Sequence, residues 1–457
     1  MPALGRSRGV AVAGLLLVAV ASACGTWQGA GTDSGPDPSV LVPRLFDPTT
    51  VYAGMGFFAQ GAPLPFVATI RFLATSSPDT ALAVFGLSLA NNALSFRRNP
   101  QAFEAEYRVE VTFRSGGRVI QRLASEETVR VASRDEARRA DESIIFQQFG
   151  YLPVGVYQVV VTVRDQKGTA FSADERAVTV PRFAGHALSD LIPIYQGVPR
   201  GARDELPRLL VNPRATVPYG QDSLVFYVEG YGQAEGATVV VRAVSLNGDT
   251  AWAGRAPLAG GRDLATAIIA IAPESLPVGE LRLWATVEAT GDSAQAMALV
   301  SFSDRWVITN FDDILSLLRY FGEDQVIADM RAADPRDQSG LWREFWVETD
   351  PDPMTPENEA LTQYFRRVEI ANVRFREAGD PGWLTDRGEV YIGLGEPDEV
   401  FDQSAALQGQ RRVIRWTYVR ERLVLDFIDE TGFGRFRITP SSRADFHRVV
   451  ERVRRER

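Results

Sequence analysis

From Val51 to Asp304 the chain is written in short runs whose apolar residues fall on every second position. Successive side chains of a strand point to opposite faces, so this period fits half-buried β-strands and argues against long amphipathic helices in this stretch. "FVATIRFLA", "AEYRVEVTFRS", "GVYQVVVTVRD" and "ERAVTV" read as strands in the first part, up to Pro181. Turn signals ("SGG", "DQKG", "LPVG") separate them. "SLVFYVEGYG", "ATVVVRAVSL", "ATAIIAIA", "ELRLWATVEAT" and "AQAMALVSF" repeat the pattern from Ala184 onward. "LPVGVYQVVVTVRD" (Leu152 to Asp165) is echoed by "LPVGELRLWATVEA" (Leu276 to Ala289), each a Leu-Pro-Val-Gly turn opening an alternating strand. The spacing predicts two tandem immunoglobulin-like β-sandwiches.

With 457 residues, 45% hydrophobic and 23% charged, the composition is that of a folded multidomain protein. The net charge of −9 gives no footprint for nucleic acid. The first 24 residues stand apart from the fold. Arg6 and Arg8 form a positive start, Val10 to Val20 is an apolar core too short to span a bilayer comfortably, and "ASAC" ends in Cys24, the single cysteine. This resembles a bacterial lipoprotein signal, with Ala21 where Leu is usual, and implies lipidation of Cys24. No thiol follows Cys24, so no internal disulfide can form and stability must come from packed cores. "GTWQGAGTDSGPDPS" reads as a flexible tether.

Near Trp306 the period changes. Asn310 is placed to cap a helix whose Phe311, Ile314, Leu317 and Leu318 share a face. "EDQVIADMRAAD" and "SGLWREFWVET" follow as short helices, the latter with Leu341, Trp342 and Phe345 inward. A longer helix is expected after Thr355 as cap and Pro356 as first residue, with Leu361, Tyr364, Phe365, Val368, Ala371 and Phe375 inward and Gly379 and Pro381 ending it. Val390 to Leu394, "RVIRWTYV", "RLVLDFIDE" and "GRFRIT" then read as an antiparallel meander. The third domain is therefore expected to be α+β, helices first.

"PGWLTDRGEVYIGLGEPDEV" (Pro381 to Val400) joins those helices to that meander. Gly382-Trp383-Leu384-Thr385-Asp386 resembles the signature of the GWxTD-domain family of bacterial proteins. "FWVETDPDPMTPENE" and "YFRRVEIANVRF" upstream are similar to two further blocks of that family, with "VETD" where Arg commonly precedes the Asp-Pro step. The resemblance covers about Trp306 to Ile438 and implies an envelope context but no reaction, and carries over no catalytic residue.

Gly393 and Gly395 lack the third glycine, helix and lysine of a phosphate loop. His186 and His447, far apart in sequence, do not make a zinc set. Asp350, Asp352, Glu357 and Glu359 lie close enough to be weak calcium candidates, though Glu357 equally suits a helix start. Asp386, Glu389, Glu396 and Asp398 offer paired carboxylates, the basis of an alternative reading as an envelope hydrolase of glycan or peptide. Asx-type turns at Asp386 and Asp398 and a wedge role for Trp383 between helices and sheet compete with that reading. Gly382, Trp383, Thr385, Asp386, Gly395, Pro397 and Asp398 are thus expected to be structural, with binding as the other use.

The sequence so predicts a signal peptide over 1–23, a tether over 24–50, sandwiches over 51–182 and 183–305, a GWxTD-type α+β domain over 306–440 and a basic C-terminal tail over 441–457. It predicts no cofactor, an N-terminal lipid in a membrane, an envelope protein or glycan as partner, and no catalysis. The expected place is extracytoplasmic, and by resemblance to lipoprotein sorting Gly25 rather than Asp after the cysteine implies the outer membrane in a cell that has one.

Overall fold

The computed structural model describes residues 48–455, apart from 100–101, 139–142, 303–307, 309, 336, 356–357, 378–379, 403–411, 430–431 and 433. Cys24, Trp306, Pro356, Glu357 and Gly379 lie outside the described residues. Helix α1 (Thr49–Gly54) opens the described chain and is already part of the fold, with Tyr52 buried and its hydroxyl 2.9 Å from Thr216 Oγ1.

The first sandwich faces a four-stranded sheet, in the order Phe58–Gln60, Phe66–Ala74, Thr80–Ala90, Ser143–Pro153, with a five-stranded one. The latter runs Arg97–Arg98, Phe103–Ser115, Gly155–Asp165, Phe171–Val180, with Arg118–Val131 also paired to Phe103–Ser115. Helix α2 (Arg134–Arg138) follows the strand Arg118–Val131. Alternate residues such as Tyr107, Val109, Val111, Val159, Val161 and Val163 fill the space between the sheets, as period-two patterning requires.

The second sandwich pairs the sheet Arg208–Val211, Ile192–Val198, Leu224–Tyr231, Ala265–Ile271, Ala259–Gly260 with the sheet Thr216–Pro218, Ser293–Ser301, Gly279–Val287, Thr238–Ser245, Thr250–Pro257. Both "LPVG" strands, Gly155–Asp165 and Gly279–Val287, occupy an inner position of their sheet and pair antiparallel on both sides. The echo in sequence is an echo in architecture.

The two sandwiches are welded. "TALAVFGLSLA" (Thr80–Ala90) is apolar at nearly every position because both of its faces are covered. Ala81, Ala83, Phe85 and Leu87 enter the first core, while Leu82 and Val84 meet Ile192, Ile194, Leu209, Val211 and Tyr227 of the second sandwich. Beside that patch lies a buried ion pair. Arg200 donates from Nε and Nη2 to the two carboxylate oxygens of Glu229, each at 2.7 Å, with side-chain exposures of 1% and 0%. Tyr227 and Tyr231 donate to the same oxygens at 2.7 and 2.5 Å, and Arg200 reaches the Ala74 carbonyl of the first sandwich at 2.6 Å. Burial alone would lower the Arg200 pKa, but hydrogen bonding to Glu229 and its charge outweigh that and raise it.

The C-terminal part is α+β. Its helices are α3 (Phe311–Leu317), α4 (Asp324–Ala332), α5 (Gln338–Thr349), α6 (Glu359–Arg374), α7 (Asp386–Leu394) and α8 (Pro440–Arg455). Its sheet is a meander of Glu399–Asp402, Arg412–Tyr418, Leu423–Asp429 and Arg437–Ile438. Asn310 caps α3, accepting from Asp312 N at 2.8 Å. Tyr219, Phe302, Phe311 and Trp342 form an aromatic cluster that joins these helices to the second sandwich, with Phe302 and Trp342 centroids 4.6 Å apart.

Four local expectations are corrected. Helix α6 is capped by Asn358, whose Oδ1 accepts from Leu361 N at 2.9 Å, and not by Thr355. It ends at Arg374, well before Pro381. Val390 to Leu394 are the end of helix α7, not a strand; Val390, Tyr391 and Ile392 are all buried, so covering on several sides produced an apolar run that resembled alternation. The segment expected as a basic tail is helix α8, packed on the domain through buried Phe446, Val449 and Val450, with Arg452, Arg454 and Arg455 in its last turn, favourable against the helix dipole.

Candidate functional site

The stretch Gly382 to Asp386 is a knot of backbone, built around two glycines. Gly382 opens a 3₁₀ turn, Gly382–Leu384, pressed onto the end of α6. A Cβ on Gly382 would lie 2.1 Å from the Ala371 carbonyl oxygen and 2.7 Å from that of Asn372. On the other side, a Cβ on Gly388 of α7 would lie 2.0 Å from the carbonyl oxygen of Gly382. Three backbone segments therefore stack at distances that leave no room for a methyl group.

Thr385 locks the stack. Its hydroxyl donates to the Gly382 carbonyl at 2.8 Å and accepts from Gly388 N at 3.1 Å, making it the N-cap of α7. Asp386, next in the helix, points across to the C-terminal strand and α8. Its Oδ2 accepts from Ile438 N at 2.8 Å and from Arg443 Nη2 at 2.9 Å, and Arg437 stands 3.6 Å from Oδ1. Arg443 also pairs with Glu389, at 3.2 Å. Arg387 pairs with Glu377 at 2.9 Å and lies 4.5 Å over the Phe436 ring, while Glu377 accepts from Phe436 N at 3.1 Å. Burial raises the Glu377 pKa, against the pull of the Arg387 charge.

Trp383 is 1% exposed, so both ring faces are covered. Tyr320 meets it edge-on at 6.5 Å and the Arg319 guanidinium carbon lies 5.4 Å over the ring. Its Nε1 has no hydrogen-bond partner among the described residues, so the side chain contributes by filling space.

The family comparison coincides with this knot. A model of the GWxTD domain matches residues 284–427. The chain carries a GWxTD domain. The match begins within the strand Gly279–Val287 of the second sandwich and runs to the penultimate strand of the meander, so the GWxTD match crosses the junction between sandwich and helices. No curated protein matches the chain. Among solved structures the chain is similar to Clostridium thermocellum CbhA fibronectin(III)-like modules, at 12% identity over 51% of this chain and 93% of that one, with a TM-score of 0.14. It is also similar to trypsin activated α2-macroglobulin from Escherichia coli, at 10% identity over 55% of this chain and 17% of that one, with a TM-score of 0.18.

The remaining sequence-predicted residues of the GWxTD domain are placed as follows. Gly395 ends α7, its carbonyl accepting from the Tyr418 hydroxyl at 3.0 Å. Pro397 is buried, and Asp398, just before the first strand of the meander, accepts at 2.6 Å from Val419 N, which lies just past the strand Arg412–Tyr418. Glu396 is an exposed partner of Arg374. The four carboxylates that suggested hydrolysis are thus separated: Asp386 and Glu389 of α7 pair with Arg443, while Glu396 and Asp398, beyond the end of α7, bond Arg374 and the meander. Asp350 accepts from Asp352 N at 3.0 Å and Asp352 from Met354 N at 3.1 Å, an Asx-turn pair; Glu359 accepts from the Thr355 hydroxyl. Among the described residues no group of three or more His, Cys, Asp or Glu is placed to hold a metal ion. No described helix is long and apolar enough to cross a membrane. The sequence reading missed the Arg200–Glu229 pair and its two tyrosines; the alternating Tyr227, Glu229 and Tyr231 on one strand face was the available signal.

Proposed function

We propose that the protein is a binding or scaffolding component of the cell envelope, anchored to a membrane by a lipid on Cys24, and that it acts without catalysis. The observation that carries this reading is that the polar groups of the GWxTD motif are engaged inside the fold. Thr385 bonds Gly382 and Gly388, and Asp386 bonds the Ile438 backbone and Arg443. A motif used in this way builds a stiff joint. The covered contacts between the two sandwiches, and between the second sandwich and the helices, extend that stiffness along the chain. Such a body suits the task of holding a binding surface at a fixed place relative to a membrane anchor. An envelope protein or glycan is the class of partner this reading entails, at the outer membrane in a cell that has one.

Metabolic labelling with a fatty acid tests the anchor: the wild type takes up label and Cys24→Ser does not. Equal labelling of the two rejects it. Turnover of glycan or peptide substrates by the purified protein, lost in Asp386→Asn while the melting profile is kept, rejects the non-catalytic role.

A further inference from the structure

The outer face of the five-stranded sheet in the second sandwich sets an exposed tryptophan beside two arginines. Trp284 stands at its centre, 40% exposed on the strand Gly279–Val287. Directly opposite on the neighbouring strand is Arg242, and two residues before Trp284 on the same face is Arg282. Both arginines are exposed, and neither has a hydrogen-bond or ion-pair partner among the described residues. Val240, Val244, Thr250, Thr286 and Glu288 complete, with Arg242, a groove of about 620 Å³ around the indole; the Glu288 charge is offset by Arg255 at 2.8 Å, and Arg282 stands beside the lining on the same strand face.

On the corresponding face of the first sandwich Arg114 and Arg164 have no ion-pair partner among the described residues, but no tryptophan stands beside them, and most of the charge is paired. There Arg108 pairs with Glu110 and Glu126, Arg122 with Glu110, and Arg130 with Glu104. The "LPVG" echo aligns Val160 of that sheet with Trp284, and Gln158 with Arg282. The second sandwich thus has a large aromatic residue and an uncompensated guanidinium where the first has a valine and an amide. In a chain of net charge −9, two arginines left unpaired beside an exposed indole form a local anion-attracting site.

We propose that this face binds an acidic saccharide, with Trp284 stacked on the apolar face of a pyranose ring and Arg242 and Arg282 taking its carboxylates. The guanidinium fork matches a carboxylate in bidentate geometry, and the flat indole matches the flat array of ring C–H groups. Thr250 and Thr286 offer hydroxyls to the sugar. A saccharide is favoured over an acidic peptide. Both strands that carry Arg242 and Trp284 are paired on each side, so main-chain groups for strand addition remain only on the edge strand Thr250–Pro257, two strands from Trp284, and recognition at the indole runs through side chains. The proposal rests on the binding role above and names its ligand class.

Calorimetric titration of the full chain in detergent with oligogalacturonate, a neutral oligogalactoside and polyglutamate tests it. The expected result is binding of oligogalacturonate that weakens with salt, and neutral sugar bound about tenfold less tightly. Trp284→Ala, and Arg242→Ser with Arg282→Ser, should each cost about tenfold or more in affinity with unchanged melting temperature, because all three side chains lie outside the core. No binding of oligogalacturonate, unchanged binding by the variants, equal binding of the neutral sugar, or tighter binding of polyglutamate overturns the proposal. A chain that carries fatty acid on Cys24 yet ignores the acidic sugar rejects this site and leaves the anchored scaffold intact. One that binds the sugar but takes up no fatty acid rejects the anchor alone.

Discussion

Gly388→Ala offers a direct measure of the GWxTD knot. Two effects oppose each other. Gly388 lies in helix α7, where alanine is favoured over glycine by about 1 kcal/mol. Against this, the new methyl carbon would sit 2.0 Å from the Gly382 carbonyl oxygen, 2.9 Å from its carbonyl carbon and 3.0 Å from Trp383 Cα. The first distance is short of ordinary contact by more than about 1 Å. Gly382 has little room to retreat, since the space beside its own Cα is taken by the Ala371 and Asn372 carbonyls, 2.1 and 2.7 Å from where a Cβ would stand. Overpacking costs about 1–3 kcal/mol where side chains can yield, and more where backbone faces backbone. The net expectation is a loss of about 2 kcal/mol or more. Gly393→Ala is the internal control. It is the same change in the same helix, but its methyl group meets Val450 Cγ2 at 3.2 Å and Phe446 Cζ at 3.3 Å, side chains of α8 that can shift. That variant should stay within about 1 kcal/mol of wild type, or gain. Urea denaturation followed by tryptophan fluorescence reports both, because Trp383 and Trp416 lie in the affected core. A Gly388→Ala protein as stable as wild type, or two variants shifted alike, would falsify the close-packing explanation of the motif.

Arg200→Met should destabilise the protein by about 3–5 kcal/mol, since it leaves the Glu229 carboxylate buried without its counter-charge. Adding Glu229→Gln should restore a large part of that loss in thermal denaturation, and a double variant no better than the single one refutes the charge argument. For Asp313 in the first turn of α3, burial, with the Asp312 charge adding to it, pushes the carboxyl pKa up to about 6 from 3.8. The folded state then holds its proton more tightly than the unfolded one, so its contribution is full below the unfolded value and is lost as pH rises through about 6. Asp313→Asn should therefore gain melting temperature relative to wild type between mildly acidic and neutral pH, and parallel profiles would reject the burial effect.

Much of the β architecture was legible because its cause is local. The period of two in "VYQVVVTVRD" or "LRLWATV" follows from one covered and one open face, and the strands lie where that period occurs. Helices with a single apolar stripe, α3 and α6, were legible for the same reason, and Asn310 as a cap could be read from its position. Helix α7 was not. It is covered by α6, α8 and the 3₁₀ turn, so its stripe is lost, and "EVYIGL" is short enough to pass for a strand. Thr385 followed by Asp386 and Glu389 was the helix-start signal that competed with it.

The sequence by itself determined the order of parts: two alternating segments, a helical segment, a meander, and a chain without cysteines after Cys24. Each of these follows from near neighbours along the chain. Only the tertiary structure decided what the individual residues of "PGWLTD" are for. Gly382 is required by carbonyls eleven and ten residues upstream and by a helix that starts after it, Asp386 by a strand and an arginine more than fifty residues downstream, and Trp383 by the cavity they enclose. The same holds for Arg242 and Trp284, which are forty-two residues apart and become one surface through strand register alone. Contacts of that range are set by packing, and no local period records them.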